Sequence, residues 1–114
     1  MLSIAKELYI QGIYHSQRQS VSDSMLAILN FDFAGETMLK AVLLNNGGTI
    51  SRKEGFKSFD EIISDFKTCF PSIYTNEVNN IHKLRNEVQH HSNIPSQQEV
   101  IRHKNTIQLF FNEI

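Results

Sequence analysis

Ser20-Val21-Ser22-Asp23-Ser24-Met25-Leu26-Ala27-Ile28-Leu29-Asn30-Phe31-Asp32-Phe33-Ala34-Gly35-Glu36-Thr37-Met38-Leu39-Lys40-Ala41-Val42-Leu43-Leu44-Asn45-Asn46-Gly47-Gly48 is the stretch that decides the fold. Ser20 or Ser22 can cap a helix by accepting from a backbone N–H near its start. The helix so begun runs to about Asn45 and stops before Asn46-Gly47-Gly48, a typical exit. Ile28, Phe31, Met38, Val42 and the leucines around them make it apolar on most sides. Such a helix is central in a bundle, or shared between a core and an interface. Asp32, Glu36 and Lys40 interrupt the apolar region from Met25 to Leu44, so it is no membrane span.

Shorter helices are predicted on either side. Leu2, Ala5, Tyr9 and Ile13 recur at helical spacing within about 3–15. Ser58-Phe59-Asp60-Glu61 has the form of a capping box, and Phe59, Ile62, Ile63, Phe66 and Phe70 follow before Pro71 ends that helix. A fourth helix spans about 75–91, with Val78, Ile81, Leu84 and Val88 inward. Ser96-Gln97-Gln98-Glu99, after Pro95, opens the fifth, whose stripe is Val100, Ile107, Phe110 and Ile114. No stretch alternates at period two, and the connections are mostly short. The expectation is an all-α antiparallel bundle of four to five helices forming one domain over 1–114. Because the apolar stripe reaches Ile114, the segment is expected to be a compact whole or the N-terminal domain of a longer protein.

Composition narrows the function. With 40% hydrophobic and 20% charged residues, and eight Phe but no Trp, the chain is globular rather than disordered. Eleven Lys and Arg against twelve Asp and Glu give a formal net charge of -1. A non-specific nucleic-acid coat would be basic, so any nucleic-acid contact is confined to one site. The same balance gives no reason for binding anionic membrane. Cys69 is the single cysteine, which excludes an internal disulfide and fits a reducing, cytoplasmic setting. The first residues meet charge at Lys6 and Glu7, too early for a signal peptide.

Polar chemistry gathers in Ile81-His82-Lys83-Leu84-Arg85-Asn86-Glu87-Val88-Gln89-His90-His91. Arg85 lies four after Ile81 and three before Val88, on or beside the apolar face, where a guanidinium costs free energy unless something pairs with it. His82, Asn86 and His90 form one row, and Gln89 lies four after Arg85. A guanidinium grips phosphate in two places, and an imidazole exchanges protons near neutral pH. Asn86 is placed to hold a second oxygen or to orient a histidine. Together they suit RNA cleavage by the 2′-hydroxyl, with no metal or cofactor needed. The plainer reading is a surface Arg with a buried stem and histidines facing the last carbonyls of their helix.

The stretch Leu84-Arg85-Asn86-Glu87-Val88-Gln89-His90-His91 resembles the signature of the HEPN family, an Arg followed by Asn, Asp or His and then by a His four to six residues on. The run from Phe33 to Leu44 resembles that family's long central helix. The likeness covers most of the chain, but only the Arg–His motif is specific. It implies a dimer in which two such motifs form one RNA-cutting cleft, in antiviral defence or a toxin–antitoxin pair. Arg85, Asn86 and His90 would be catalytic, and His82, Gln89 and His91 would contact substrate. Implied partners are RNA, a second copy of the chain, and an antitoxin or fused effector, with no membrane. Silent members of the family bind partners or sense ligands instead. Some HEPN toxins carry a modified Tyr two residues after the His; here Ser92 stands there, so that regulation is not carried over.

Other groupings carry less. His82 and His90 lie two turns apart, about 12 Å of helix rise, too far for one zinc shell with His91 or His103. Gly47-Gly48-Thr49-Ile50-Ser51-Arg52-Lys53 lacks the spacing of a phosphate loop and reads as a mobile connection. Arg52, Lys53 and Lys57 mix with Glu54, Asp60 and Glu61 and read as solvated surface. Cys69 is expected to be a small buried filler. His103 is expected to be a satisfied histidine at a packing edge.

Overall fold

A computed structural model describes residues 2–18, 20–73 and 75–113, and among these there are five helices and no strand. Helix α1 is Leu2–Ser16, α2 Val21–Asn45, α3 Phe59–Cys69, α4 Asn76–His91 and α5 Gln97–Glu113. Ile114, expected to continue the last stripe, lies outside the described residues. No described helix is long and apolar enough to cross a membrane.

The helix ends follow local chemistry. Of the two candidate caps, Ser20 starts α2: its Oγ accepts from the Asp23 N–H at 3.0 Å. The Asp23 carboxylate accepts in turn from the Ser20 hydroxyl (2.6 Å), lies 2.7 Å from His15 Nδ1 and pairs with Arg18 Nε at 3.3 Å. Bonds from Ser20 and then His15, with Arg18 adding, hold this carboxyl below its ordinary range. At the other end, Gly48 N–H reaches back to the Leu43 carbonyl at 2.8 Å across Gly47, whose φ of 81° suits glycine. Both capping boxes form reciprocally, Ser58 with Glu61 and Ser96 with Glu99. Thr75 stands before α4, but its side chain makes no capping bond.

Helix α2 is the axle. Thirteen of its residues are buried, among them Ala27, Ile28, Phe31, Ala34, Met38, Leu39, Val42 and Leu43. Contacts between residue pairs give the directions. Leu2 lines one cleft with Leu44, while His15 meets Asp23, so α1 runs antiparallel to α2. Asp32 meets Arg85 and His82, while Gly35 faces Val78, so α4 is also antiparallel to α2. Gln97 bonds Ser24, and Gly35 faces Ile107, so α5 runs parallel to it. Helix α3 closes the far end, where Phe59, Ile62 and Phe66 join Met38, Leu43, Val78 and Phe110 in one cluster. The 46–58 connection is the longest, and in it Ser51 and Phe56 form a single isolated bridge.

Two expectations need correcting. Cys69 is exposed: it is the last residue of α3, three past Phe66, the last buried residue of that helix. His103 is deeply buried, at 5% exposure, and its Nδ1 has no hydrogen-bond partner among the described residues. It lies four residues before Ile107 and three after Val100, so it shares the stripe of α5 rather than its edge. Burial pushes its imidazole below the ordinary value of 6.5; Arg102 adds to this, and Glu99 and Glu77 oppose it.

Two outcomes follow. Gly12 is buried against the ring of fully buried Phe31, and a Cβ there would lie 2.7 Å from Cδ1. Gly12→Ala raises helix propensity by up to ~1 kcal/mol yet should destabilise by about 1–3 kcal/mol through overpacking, which thermal unfolding will read; a raised Tm would refute the packing account. For His103 the sign is set by its lowered pKa. As pH falls below 6.5 the unfolded chain takes the proton first, so stability drops until the folded group titrates too. His103→Leu should flatten the decline of Tm between about pH 7.5 and 5.5, and unchanged slopes would count against this.

Candidate functional site

Asp32 is the residue that the sequence reading passed over. It sits in the middle of α2 and is 3% exposed. Its two oxygens face different partners on α4: Oδ1 lies 3.0 Å from His82 Nδ1, and Oδ2 lies 3.4 Å from Arg85 Nε. An ionised carboxylate only accepts, so the Nδ1 of His82 carries the hydrogen in that contact. The other side of the His82 ring is fixed by Phe59, the first residue of α3, stacked on it at 3.8 Å between centroids and 8° between planes. Three helices therefore meet on one imidazole.

Arg85 shows why spacing alone located it well. It is half-buried at the edge of the apolar face, 31% exposed in its side chain, with Asp32 as its counter-ion. Its Nη1 donates to Asn86 Oδ1 at 2.9 Å. Asn86 therefore orients the guanidinium rather than a histidine. The remaining guanidinium nitrogen has no partner among the described residues, and this is the part of the fork that a phosphate could take.

The last turns of α4 differ in character. Gln89, His90 and His91 are exposed, and among the described residues their side chains make no hydrogen bond or ion pair. The helix persists to His91, and Ser92 then turns the chain with a left-handed φ of 55°. At about 100° per residue, Arg85, Gln89, His82, Asn86 and His90 occupy one polar sector of roughly 140°. Arg85 stands at its core edge and His90 at its solvent edge. They stand five positions apart, which is about 7.5 Å along the axis and 140° around it, so the two groups of one chain splay apart.

The structure thus brings His82, Arg85 and Asn86 together around Asp32 and leaves Gln89, His90 and His91 free in solvent. Nothing in the periodicity of α2 marked Asp32 beyond its being a charge in an apolar run. That anomaly was the signal: a carboxylate there needs a cation from another helix. No protein-family model matches this chain, and comparisons with curated proteins and with solved structures give no significant match.

The clamp makes a measurable demand. Asp32→Asn keeps the shape and removes the charge. It should cost no more than about 3 kcal/mol, the lower end for breaking a buried pair, since Arg85 and His82 keep water contact. A double-mutant cycle with Arg85→Met should return a coupling of about 0.5–3 kcal/mol; additive effects would mean that the ion pair carries no weight.

Proposed function

We propose that the chain is a metal-independent endoribonuclease of HEPN type, cutting single-stranded RNA at a site assembled from two copies. One observation carries this reading. A buried carboxylate holds Arg85 at the rim with part of its fork open, while the imidazole of His90, without a partner among the described residues, stands exposed on the same polar sector. The Arg–His spacing of the HEPN signature supports it. The splay between the two groups supports a composite site, in which Arg85 of one copy and His90 of the other converge on one phosphodiester.

The chemistry follows from those groups. His90 removes the proton of a ribose 2′-hydroxyl, and the oxygen attacks the adjacent phosphorus. The bond to the 5′-oxygen breaks, leaving a cyclic phosphate on one fragment and, once that oxygen is protonated, a hydroxyl on the other. Arg85 stabilises the charge on the phosphoryl oxygens, and Asn86 and Asp32 position it. Asp32 is a positioning residue, since it never reaches the substrate. The pairing surface is argued from α2. Phe33 and Leu26, 57% and 42% exposed, lie seven residues apart on one face of that helix, next to Asp32. A defence or toxin role in the cytoplasm, with an antitoxin or fused effector as partner, belongs to this same reading.

A second reading has its own support. A guanidinium already neutralised by Asp32 within its own chain needs no phosphate, which suits a non-catalytic dimerisation or sensor module.

One experiment separates the two. Purified protein is incubated with mixed RNA in EDTA. Wild type should cut, while Arg85→Ala and His90→Ala, with circular dichroism unchanged, should lose at least about a hundredfold in rate, as removal of an acid–base group does. Asp32→Asn should fall between them, with KM affected more than by His90→Ala. Undiminished cutting by His90→Ala would end the assignment, and absence of cutting by wild type would leave the module.

A further inference from the structure

A cleft of about 390 Å³ opens between the first turn of α3 and the middle of α4, within the ~300–1,000 Å³ range of small-ligand sites. Phe59 and Asp60 line one side, and Asn79, His82, Lys83 and Asn86 the other. The wall is stiff, because Phe59 and His82 are stacked and His82 is bonded to buried Asp32. Asn79 and Asn86 are two turns apart on one line of α4, with Lys83 between them.

The polar atoms in the cleft are largely uncommitted. Asn86 uses its carbonyl oxygen for Arg85, which leaves its amide hydrogens as donors. The Asn79 side chain and the Asp60 carboxylate have no hydrogen bond or ion pair among the described residues. Lys83 is exposed and likewise unpaired. The set therefore offers two amides, one ammonium and one carboxylate, arranged beside the stacked Phe59–His82 pair. An inorganic anion is a poor match, because Asp60 would repel it. A metal ion is a poor match, because only one carboxylate is present. The edge of a nucleobase, with donors and acceptors side by side, fits that mixture.

We infer that this cleft receives one unpaired RNA base, with a preference for guanine, beside the phosphate that Arg85 grips. Guanine presents ring and exocyclic N–H donors, which Asp60 accepts, next to a carbonyl oxygen, which the Asn86 amide and Lys83 meet. Asn86 joins the two sites, with its oxygen on Arg85 and its amide toward the base. The inference rests on the ribonuclease reading for its setting, but it has an independent test.

Wild-type protein is titrated with GMP, AMP, CMP and UMP while the side-chain amide signals of Asn79 and Asn86 are followed by NMR. Saturable shifts at both, tightest for GMP, are expected. Asp60→Asn, an exposed change that should leave circular dichroism unaltered, should weaken GMP about tenfold, as losing a charged hydrogen bond does. In parallel, the ends of RNA cut by wild type and by Asp60→Asn are sequenced. Guanine should be enriched at one position beside the cut, and Asp60→Asn should erase that enrichment. Shifts confined to other parts of the chain, equal response to ribose 5-phosphate, or identical end sequences from both proteins overturn the base cleft while leaving the ribonuclease reading intact. Saturable GMP binding at the two amides by a wild type that cuts nothing retains the cleft and overturns the ribonuclease reading.

Discussion

A carboxylate placed inside an apolar helix obliges the rest of the bundle to answer it. Asp32 lies among the buried residues of α2, where an unpaired charge would cost several kcal/mol, a large share of the marginal stability of a domain this size. His82 and Arg85 supply the partners, and in doing so they fix the register of α4 against α2. A slip of one residue would carry both away from the carboxylate by about 100°. The pair thus specifies one alignment of helices that apolar packing alone would fix less tightly.

That constraint spreads outward through contact. With α4 registered, Val78 meets Gly35, and the small residue lets the two helices and Ile107 of α5 approach closely. With His82 oriented, Phe59 stacks on its face, which locates the start of α3, whose Ile62, Ile63 and Phe66 pack into the core beyond it. Gly12 and Phe31 do on the other side of α2 what Gly35 and Val78 do on this one. The polar sector of α4 is therefore the outer surface of a buried lock rather than a loose row of surface residues.

The same arrangement explains why the sector has two kinds of residue. Near its core edge, groups are immobilised by partners; toward the helix end, Gln89, His90 and His91 are exposed, with none among the described residues. A guanidinium held in place binds an anion with little ordering cost, whereas a proton carrier has to reach solvent and substrate. On the proposed ribonuclease reading, exposed His90 and His91, five and six positions beyond a fixed arginine, would share chemistry between copies, and the cleft beside Asn86 would meet a neighbouring part of the polymer.

Some of this was determined by sequence alone. The five helices, the long apolar α2, both capping boxes and the exit at Asn46-Gly47-Gly48 are local matters, governed by hydrogen bonds and periodicities that span a few residues. The polar row on α4 was legible for the same reason, and so was the need of Arg85 for a partner. The identity of that partner was not, because Asp32 is fifty-three positions from Arg85 in the chain and a counter-ion is chosen by helix packing rather than by spacing. For the same reason only the tertiary structure decided that Asn86 serves Arg85, that Phe59 seats His82, that His103 is buried with a bare nitrogen and that Cys69 faces outward. Each depends on what a second helix places opposite a residue, and no window along one helix contains that information.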